Sequence, residues 1–344
     1  MTSPTAALTA ISVQAPSLAP ESVAVAVEAQ FGLVGELSPL VSERDQNFLL
    51  QTGSGERFVA KVTSATEEAA STDFQIGALL HLEKVADLRV PRVHHTLSGN
   101  ASGEIADDKG TYRLRVVSWV SGKPLESLPF DTVRSGELGT ALAYLDNALA
   151  GYSHPGKNPV LLWDLQRTPE LRQVVGSISD SLLRGRVERA VTDFERRVLP
   201  ALGQLRSQVI HADANPGNIL LTDDGIGFID FGDMIRAPLV FEVAIAASYL
   251  RSFEADPLQF IAPFIAAYHA VMPLSDLEAN LLYDLVRARL AMTVTMLYWR
   301  LSVRDEDDPY RKKALEIEGG AERYLALLDS LGRDGFRRKL SFIQ

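Results

Sequence analysis

The stretch that decides the fold reads VIHADANPGNILL over Val209–Leu221, turns at Thr222-Asp223-Asp224-Gly225, and continues IGFIDFGD over Ile226–Asp233. Two short apolar runs joined by an Asp-Gly turn spell a β-hairpin. Polar groups stand immediately before the first run and immediately after the second. A hairpin brings its ends together, so Asp213 and Asn218 are expected beside Asp230. One carboxylate is then available as a base, while an amide and a second carboxylate can hold a divalent cation. Phosphoryl transfer requires that division of labour, because its chemistry is mostly positioning and charge neutralisation. An oxygen-only cluster suits Mg2+ and does not suit zinc.

Working outward, the chain before this stretch has two characters. From Phe31 to about Val120 the pattern is strand-like. Asn47–Gln51 and Arg57–Val62 flank a Gly-containing loop at Thr52–Glu56 and read as a hairpin. In its second strand Phe58, Ala60 and Val62 share one face, and Val59 and Lys61 share the other. A helix is expected over Glu67–Val85, then strands near His94–Leu97 and Tyr112–Trp119. After Gly122-Lys123-Pro124 the helical period takes over, with stripes at Leu138, Leu142, Leu145 and Leu149 and at Val187, Val191, Phe194 and Val198. Asp276–Val303 reads as a long helix. The expected fold is α+β and bilobal: a flexible leader over 1–24, a small β-rich lobe over 25–120, and a larger helical lobe over 121–344.

Composition bounds the chemistry. The 344 residues carry 34 Lys plus Arg against 44 Asp plus Glu, a formal charge of −10. That balance argues against nucleic acid or an anionic membrane as the main partner, while leaving room for a phosphate-bearing small molecule. Zero cysteines exclude disulfides, Cys-ligated metals and thiol catalysis. The first twenty residues hold no Lys or Arg and so lack the charged start of a secretory signal. The most apolar later stretch, Phe260–Leu274, is broken by two prolines and is too short to span a bilayer. A cytoplasmic protein is expected.

His211-x-Asp213-x4-Asn218 followed by Asp230-Phe231-Gly232 resembles the catalytic loop and metal-binding motif of the aminoglycoside phosphotransferase and choline kinase branch of the kinase-like fold. Several segments are similar to the hydroxylysine kinase group in particular: Ser42–Phe48, Leu162–Leu165, Asp230–Met234 and Pro238–Ile245. The resemblance spans about Gly32 to Arg300. It implies an enzyme that moves the γ-phosphoryl group of ATP or GTP to a hydroxyl of a small amine or amino acid, with Mg2+ as cofactor. Relatives of this kind also occur as the leading domain of longer chains, which implies a fused or partner metabolic domain.

Carried onto this sequence, the resemblance makes Asp213 the base and Asn218 and Asp230 the Mg2+ ligands. Lys61 becomes the clamp on the α- and β-phosphates; by itself, a strand lysine is most often a solvated edge residue. Neither a Walker A motif nor a G-x-G-x-x-G loop is present. The turn Leu40–Phe48 stands in their place, with Ser42 and Arg44 as phosphate donors, or it is a plain exposed tip. Related kinases pair the lysine with a helical Glu; the matching position here holds Gln75, with Glu67 and Glu68 as the alternatives. Trp119 and Val120 would offer their backbone to the base, unless Trp119 only fills the core. For the acceptor, Asp164, Asp233 and Glu242 are candidates for an ammonium, Trp163 for stacking and Arg289 for a carboxylate. The plain alternatives are Trp163 as core, Asp164 as a helix cap and Arg289 as an ion-pair partner on a helix face. Arg304–Asp308 reads as a solvated loop. Two rival readings remain: a catalytically weak kinase-like module serving a partner, and a metal-dependent phosphohydrolase.

Overall fold

The computed structural model describes residues 15–303, apart from 43, 66, 157–159 and 162, and residues 320–340. The run Arg304–Asp308 lies outside the described residues. The first element is a helix, α1 (Pro20–Phe31), so residues 20–24 are not part of a flexible leader. The physical reason is a stripe at Val23, Val27 and Phe31, each no more than 2% exposed, which the sheet needs as its cover. Pro20 opens the helix at its first turn, and Gly32 closes it in the left-handed conformation at φ 69°.

The chain then forms β1 (Gly35–Leu40), β2 (Gln46–Thr52) and β3 (Arg57–Thr63), followed by α2 (Ala69–Leu82), β4 (Val93–His94), β5 (Gly103–Ala106) and β6 (Thr111–Ser118). The sheet is antiparallel with order β1-β2-β3-β6-β4, and β5 adds to β6. Alternation gives it two faces. Phe48, Leu50, Ala60, Val62, Leu114 and Val116 turn toward α1 and make a core of their own. Val59, Lys61 and Val117 turn the other way, toward the rest of the molecule. α2 covers part of that face and packs through Phe74, Leu79 and Leu82 into the second, larger core. It is shorter than the expected Glu67–Val85, and β5 has no counterpart in the sequence reading.

Beyond the sheet, β7 (Lys123–Pro124) leads to α3 (Thr132–Leu149), whose Asp131 caps it by accepting from the Arg134 N–H at 2.8 Å. Such a cap is worth about 1 kcal/mol. α4 (Ser181–Asp193) continues into a wider π turn over Phe194–Val198. Next come β8 (Ser207–Ile210), the hairpin β9 (Ile219–Thr222) and β10 (Gly225–Phe228), and β11 (Ile235–Pro238). α5 (Val240–Tyr249), α6 (Ile261–Val271), α7 (Asp276–Val303) and α8 (Ala321–Lys339) complete the helical part. Gly139 lets α3 and α6 close: a Cβ there would meet the Phe264 carbonyl oxygen at 2.1 Å. α7 opens with a capping box, Ser275 and Glu278 each accepting the other's N–H at 3.3 and 2.8 Å. No helix among the described residues is long and apolar enough to cross a membrane.

The fold is therefore the α+β, kinase-like arrangement expected: a sheet region first, a helical part second. The β9–β10 hairpin lies at their junction, where β9 pairs with β7 and Arg89 bridges to Gly227.

Candidate active site

The hairpin's two ends are tied by His211. The ring is fully buried, with Nε2 3.0 Å from the Ile229 carbonyl and Nδ1 accepting the Asp213 N–H at 3.3 Å. Those roles fix the neutral tautomer, with the proton on Nε2, and burial pushes its pKa down. Phe231 packs edge-on against the ring at 4.8 Å. His211 is thus a pin between the loop before β9 and the end of β10.

Two backbone positions next to this pin are strained. Among the described residues, Ala212 (φ 62°) and Asp230 (φ 58°) are the non-glycine residues with positive φ. Such positions cost about 1–3 kcal/mol each and persist only where their surroundings impose them. For Ala212 the imposing group is Glu242, wholly buried on α5, whose Oε2 accepts the Ala212 N–H at 2.8 Å.

The carboxylate of Asp213 is held on one side only. Its Oδ2 accepts from Asn218 Nδ2 at 2.6 Å and from Asn215 Nδ2 at 3.1 Å. Its Oδ1 faces Arg289 at 3.8 Å. Burial, then the negative Asp233, push this carboxyl up to about 8, against the pull of Arg289. Asp230 is the opposite case: Lys61, 3.5 Å away, and Arg44 outweigh burial and hold it down to about 2. The two carboxylates of the motif thus differ by environment, one shifted up and the other down.

A cleft of about 570 Å3 lies between sheet and helices and is lined by Asp213, Asn218, Asp230, Lys61, Arg44 and Asp233, among others. That volume falls in the ordinary range for a ligand site. Asn218 spends its Nδ2 on Asp213, which leaves Oδ1 as its acceptor, and Asp230 is ionised; two oxygens of this kind fit Mg2+, which takes one or two protein ligands and completes its shell with phosphates and water. Among the described residues no cluster of three or more His, Cys, Asp or Glu side chains is arranged to hold a metal by itself.

Lys61 meets Asp45 at 3.9 Å as well as Asp230. Asp45 also takes Arg115 Nη2 at 2.9 Å. Lys61 and Arg115 stand directly opposite each other on β3 and β6, where like charges repel, and Asp45 neutralises both. Gln75 is not the partner of Lys61: its Oε1 accepts from Arg115 Nη1 at 2.5 Å, and its Nε2 reaches Glu67 and the Gly232 carbonyl. The residue missed by sequence reasoning is Asp45. It sits in a turn, where no periodicity reports side-chain direction, although its place between Arg44 and the strand was a signal.

Arg44 crosses the cleft and pairs with Asp233 on the helical side. Ser42 lines the same end. Trp119 and Val120 also line the cleft, but the Trp119 N–H is spent on the Arg57 carbonyl at 3.0 Å, so of the two amides only that of Val120 is left for a base. The Trp119 ring itself lies against Arg57.

On the acceptor side the structure sorts the five candidates. Asp233 and Arg289 line the cleft. Asp164 does not: it caps the short helix Leu165–Gln173, accepting the Gln166 N–H at 2.9 Å. Glu242 does not either, being occupied beneath Ala212. Trp163 lines the cleft, but Arg289 and Arg300 each lie 4.9 Å from its ring centroid, so its π face is taken by the protein's own cations. Arg289 is 1% exposed, donates to the Trp163 carbonyl at 3.0 Å and to the Tyr249 hydroxyl at 3.2 Å, and has no carboxylate within hydrogen-bond distance among the described residues.

The chain is similar to known proteins over most of its length. The hydroxylysine kinase of Mus musculus is 28% identical over 312 residues, covering 83% of each chain. The homoserine kinase of Brucella melitensis is 28% identical over 296 residues, covering 81% of this chain and 86% of its own. Among solved structures, a microcompartment-associated aminopropanol kinase superposes with a TM-score of 0.70 at 18% identity, over 92% of this chain and 99% of its own. An amicoumacin kinase in complex with AMP-PNP, Ca2+ and Ami gives 0.69 at 15% identity, over 89% and 94%. These two show the likeness of fold. The model of the phosphotransferase enzyme family matches residues 36–279, a span that holds Lys61, Asp213, Asn218 and Asp230, and the chain belongs to that family.

Proposed function

We propose that this phosphotransferase moves the γ-phosphoryl group of ATP or GTP to a hydroxyl of a small amine or amino acid of the hydroxylysine type. The observation that carries the reading is the meeting of Asp213, Asn218 and Asp230 in one cleft with Lys61 at its roof. In the reaction the acceptor oxygen attacks the γ-phosphorus and its proton passes to Asp213 Oδ1. The bond to the bridging oxygen breaks, and a nucleoside diphosphate leaves. Burial raises the proton affinity of Asp213, so its ionised form is the stronger proton acceptor. Lys61, steadied by Asp45 and Asp230, and the Ser42–Arg44 turn are the groups for the phosphates; Val120 is the backbone group for the base. Asn218 and Asp230 would hold Mg2+, which neutralises phosphate oxygens when bound.

The relatives named hydroxylysine kinase and homoserine kinase support a hydroxylated amino acid as acceptor. Asp233 and Arg289 supply one charge for an ammonium and one for a carboxylate. The reading includes a cytoplasmic setting, where nucleoside triphosphates are at hand, and allows a fused or partner domain. The catalytically weak module is not favoured, because the absent helical Glu that motivated it is replaced by Asp45. The test is a screen of 5-hydroxylysine, homoserine, ethanolamine derivatives and aminoglycosides, with ATP and GTP in parallel. Acceptor-dependent nucleoside diphosphate release is expected. Phosphate release without any acceptor, or none at all, would overturn the reading.

A further inference from the structure

We infer that Arg44 holds, on Asp233, the place of the acceptor's ammonium group, and that the two cations exchange there, so that acceptor and nucleotide bind cooperatively. The inference rests on the kinase reading above.

Arg44 belongs to the turn between β1 and β2, on the sheet side; Asp233 follows the Asp230-Phe231-Gly232 motif on the helical side. Their ion pair spans the cleft between the two. It links two separate segments, 189 residues apart in the chain. Arg44 is 41% exposed at its side chain and Asp233 14%, so the pair is reachable from the cleft. The guanidinium also sits in the field of Asp230 and Glu67, and its Nη2 lies 3.5 Å from where a Cβ on Gly232 would be. It thus occupies the acidic corner of the cleft beside the proposed phosphate site.

Asp233 has a second neighbour. It is the foremost negative charge acting on Asp213, and it also acts on Arg289. It is thus paired with the sheet-side Arg44 and shares the cleft with the proposed base. For an acceptor whose hydroxyl meets Asp213 and whose amine sits on the neighbouring carbon, Asp233 is the carboxylate of the same cleft whose charge acts most on Asp213. Two other cleft carboxylates near the phosphate site are engaged by sheet cations: Asp45 with Lys61 and Arg115, Asp230 with Lys61. Of these cations, the Asp233 partner Arg44 is the more exposed, at 41% against 15% for Lys61 and 6% for Arg115, and it has a second destination. Released from Asp233, Arg44 turns to the phosphates, for which guanidinium is the fitting donor. Each ligand then removes a cost from the other, and linkage makes the effect reciprocal.

The test measures binding by calorimetry with AMP-PNP and Mg2+, so that no turnover intervenes. In the wild type, 5-hydroxylysine is expected to bind about tenfold tighter with AMP-PNP than without, within the usual span of such couplings. Arg44→Gln should tighten 5-hydroxylysine binding to the nucleotide-free protein and abolish the coupling. Arg44→Lys should restore part of it. Asp233→Asn should weaken the amine-bearing acceptor selectively, with little effect on an analogue in which the amine beside the hydroxyl is replaced by hydrogen. Melting temperatures check that each variant folds. Unchanged acceptor affinity with and without AMP-PNP, or coupling that survives in Arg44→Gln, would overturn the exchange while leaving acceptor-dependent transfer intact. Failure of every hydroxylated amine to be phosphorylated would overturn the kinase reading and the exchange together.

Discussion

Glu242 Oε2 accepts the N–H of Ala212 at 2.8 Å, one residue before the proposed base. The carboxylate thereby imposes a positive φ on a residue that has a Cβ, and sets the direction in which Asp213 leaves the chain. Glu242→Ala leaves that buried N–H without its acceptor. The expected result is a stability loss of about 1–3 kcal/mol and a fall in kcat greater than any change in nucleotide affinity. Glu242→Gln keeps an acceptor oxygen and should lose less on both counts. Denaturant titration and steady-state kinetics on the pair check this.

The same residue makes stability depend on pH. Burial pushes Glu242 from 4.5 up to about 7, and Asp146, buried beside it and bonded to the Tyr268 hydroxyl at 2.6 Å, is raised in the same direction. Each keeps one buried oxygen without a hydrogen-bond partner among the described residues, as suits a protonated carboxyl. A raised acid binds its proton more tightly when folded. Its stabilising contribution is complete below the unfolded pKa and is lost as pH rises from about 4.5 through about 7. Melting temperature followed over that range should fall more steeply for the wild type than for Glu242→Gln. Parallel curves would contradict the assignment.

Asp45 serves two cations at once. Asp45→Ala should leave Arg115, 5% exposed, without its ionic partner and cost about 3 kcal/mol of stability. It also frees Lys61 to lean wholly on Asp230, which should weaken nucleotide binding about tenfold, or ~1.4 kcal/mol. Equilibrium binding of AMP-PNP to Asp45→Ala and Gln75→Ala separates the two roles, since the second should change nucleotide affinity less.

Asp213 and Asp230 are expected to fail differently. Asp213→Asn should abolish transfer while retaining nucleotide binding; transfer at near wild-type rate would remove Asp213 from its role. Asp230→Asn should make nucleotide binding independent of Mg2+, read by calorimetry with and without the metal.

Arg289 is a buried guanidinium whose hydrogen bonds all go to neutral acceptors. Arg289→Lys, which keeps the charge and loses the planar fork, should raise KM for 5-hydroxylysine about tenfold more than for its decarboxylated analogue. An equal loss on both would assign Arg289 to orienting Asp213 alone.

The sheet, the hairpin and the long helix were legible because periodicity reports which face of an element is buried. Leu138, Leu142, Leu145 and Leu149 are all at most 1% exposed, and Asp276–Val303 is one helix as read. What failed was side-chain direction in irregular segments. Asp164 and Glu242 have the chemistry for an ammonium, but one is turned back on a helix cap and the other faces a backbone amide. Gln75 lies on the right helix, yet Arg115 competes for it, and only the β3–β6 register shows that competition. The early helix Pro20–Phe31 has no counterpart in the sequence reading, which ends the leader at residue 24 and starts the strand pattern at Phe31.

α7 carries Arg287 and Arg289 two positions apart. Arg287 faces outward into ion pairs with Asp193 of α4 and Asp329 of α8, and Arg289 faces the cleft. Arg289, proposed for the acceptor's carboxylate, therefore stands on a helix anchored at its back, whereas Lys61, Asp45 and Arg44 belong to the sheet region. The group proposed for the acceptor's carboxylate and those proposed for the phosphates thus lie on separate pieces of the chain, with the Arg44–Asp233 pair between them. A library confined to the cleft-facing residues of α7 is expected to alter recognition of the acceptor's carboxylate while leaving Lys61, Asp45 and the Arg44–Asp233 pair in place.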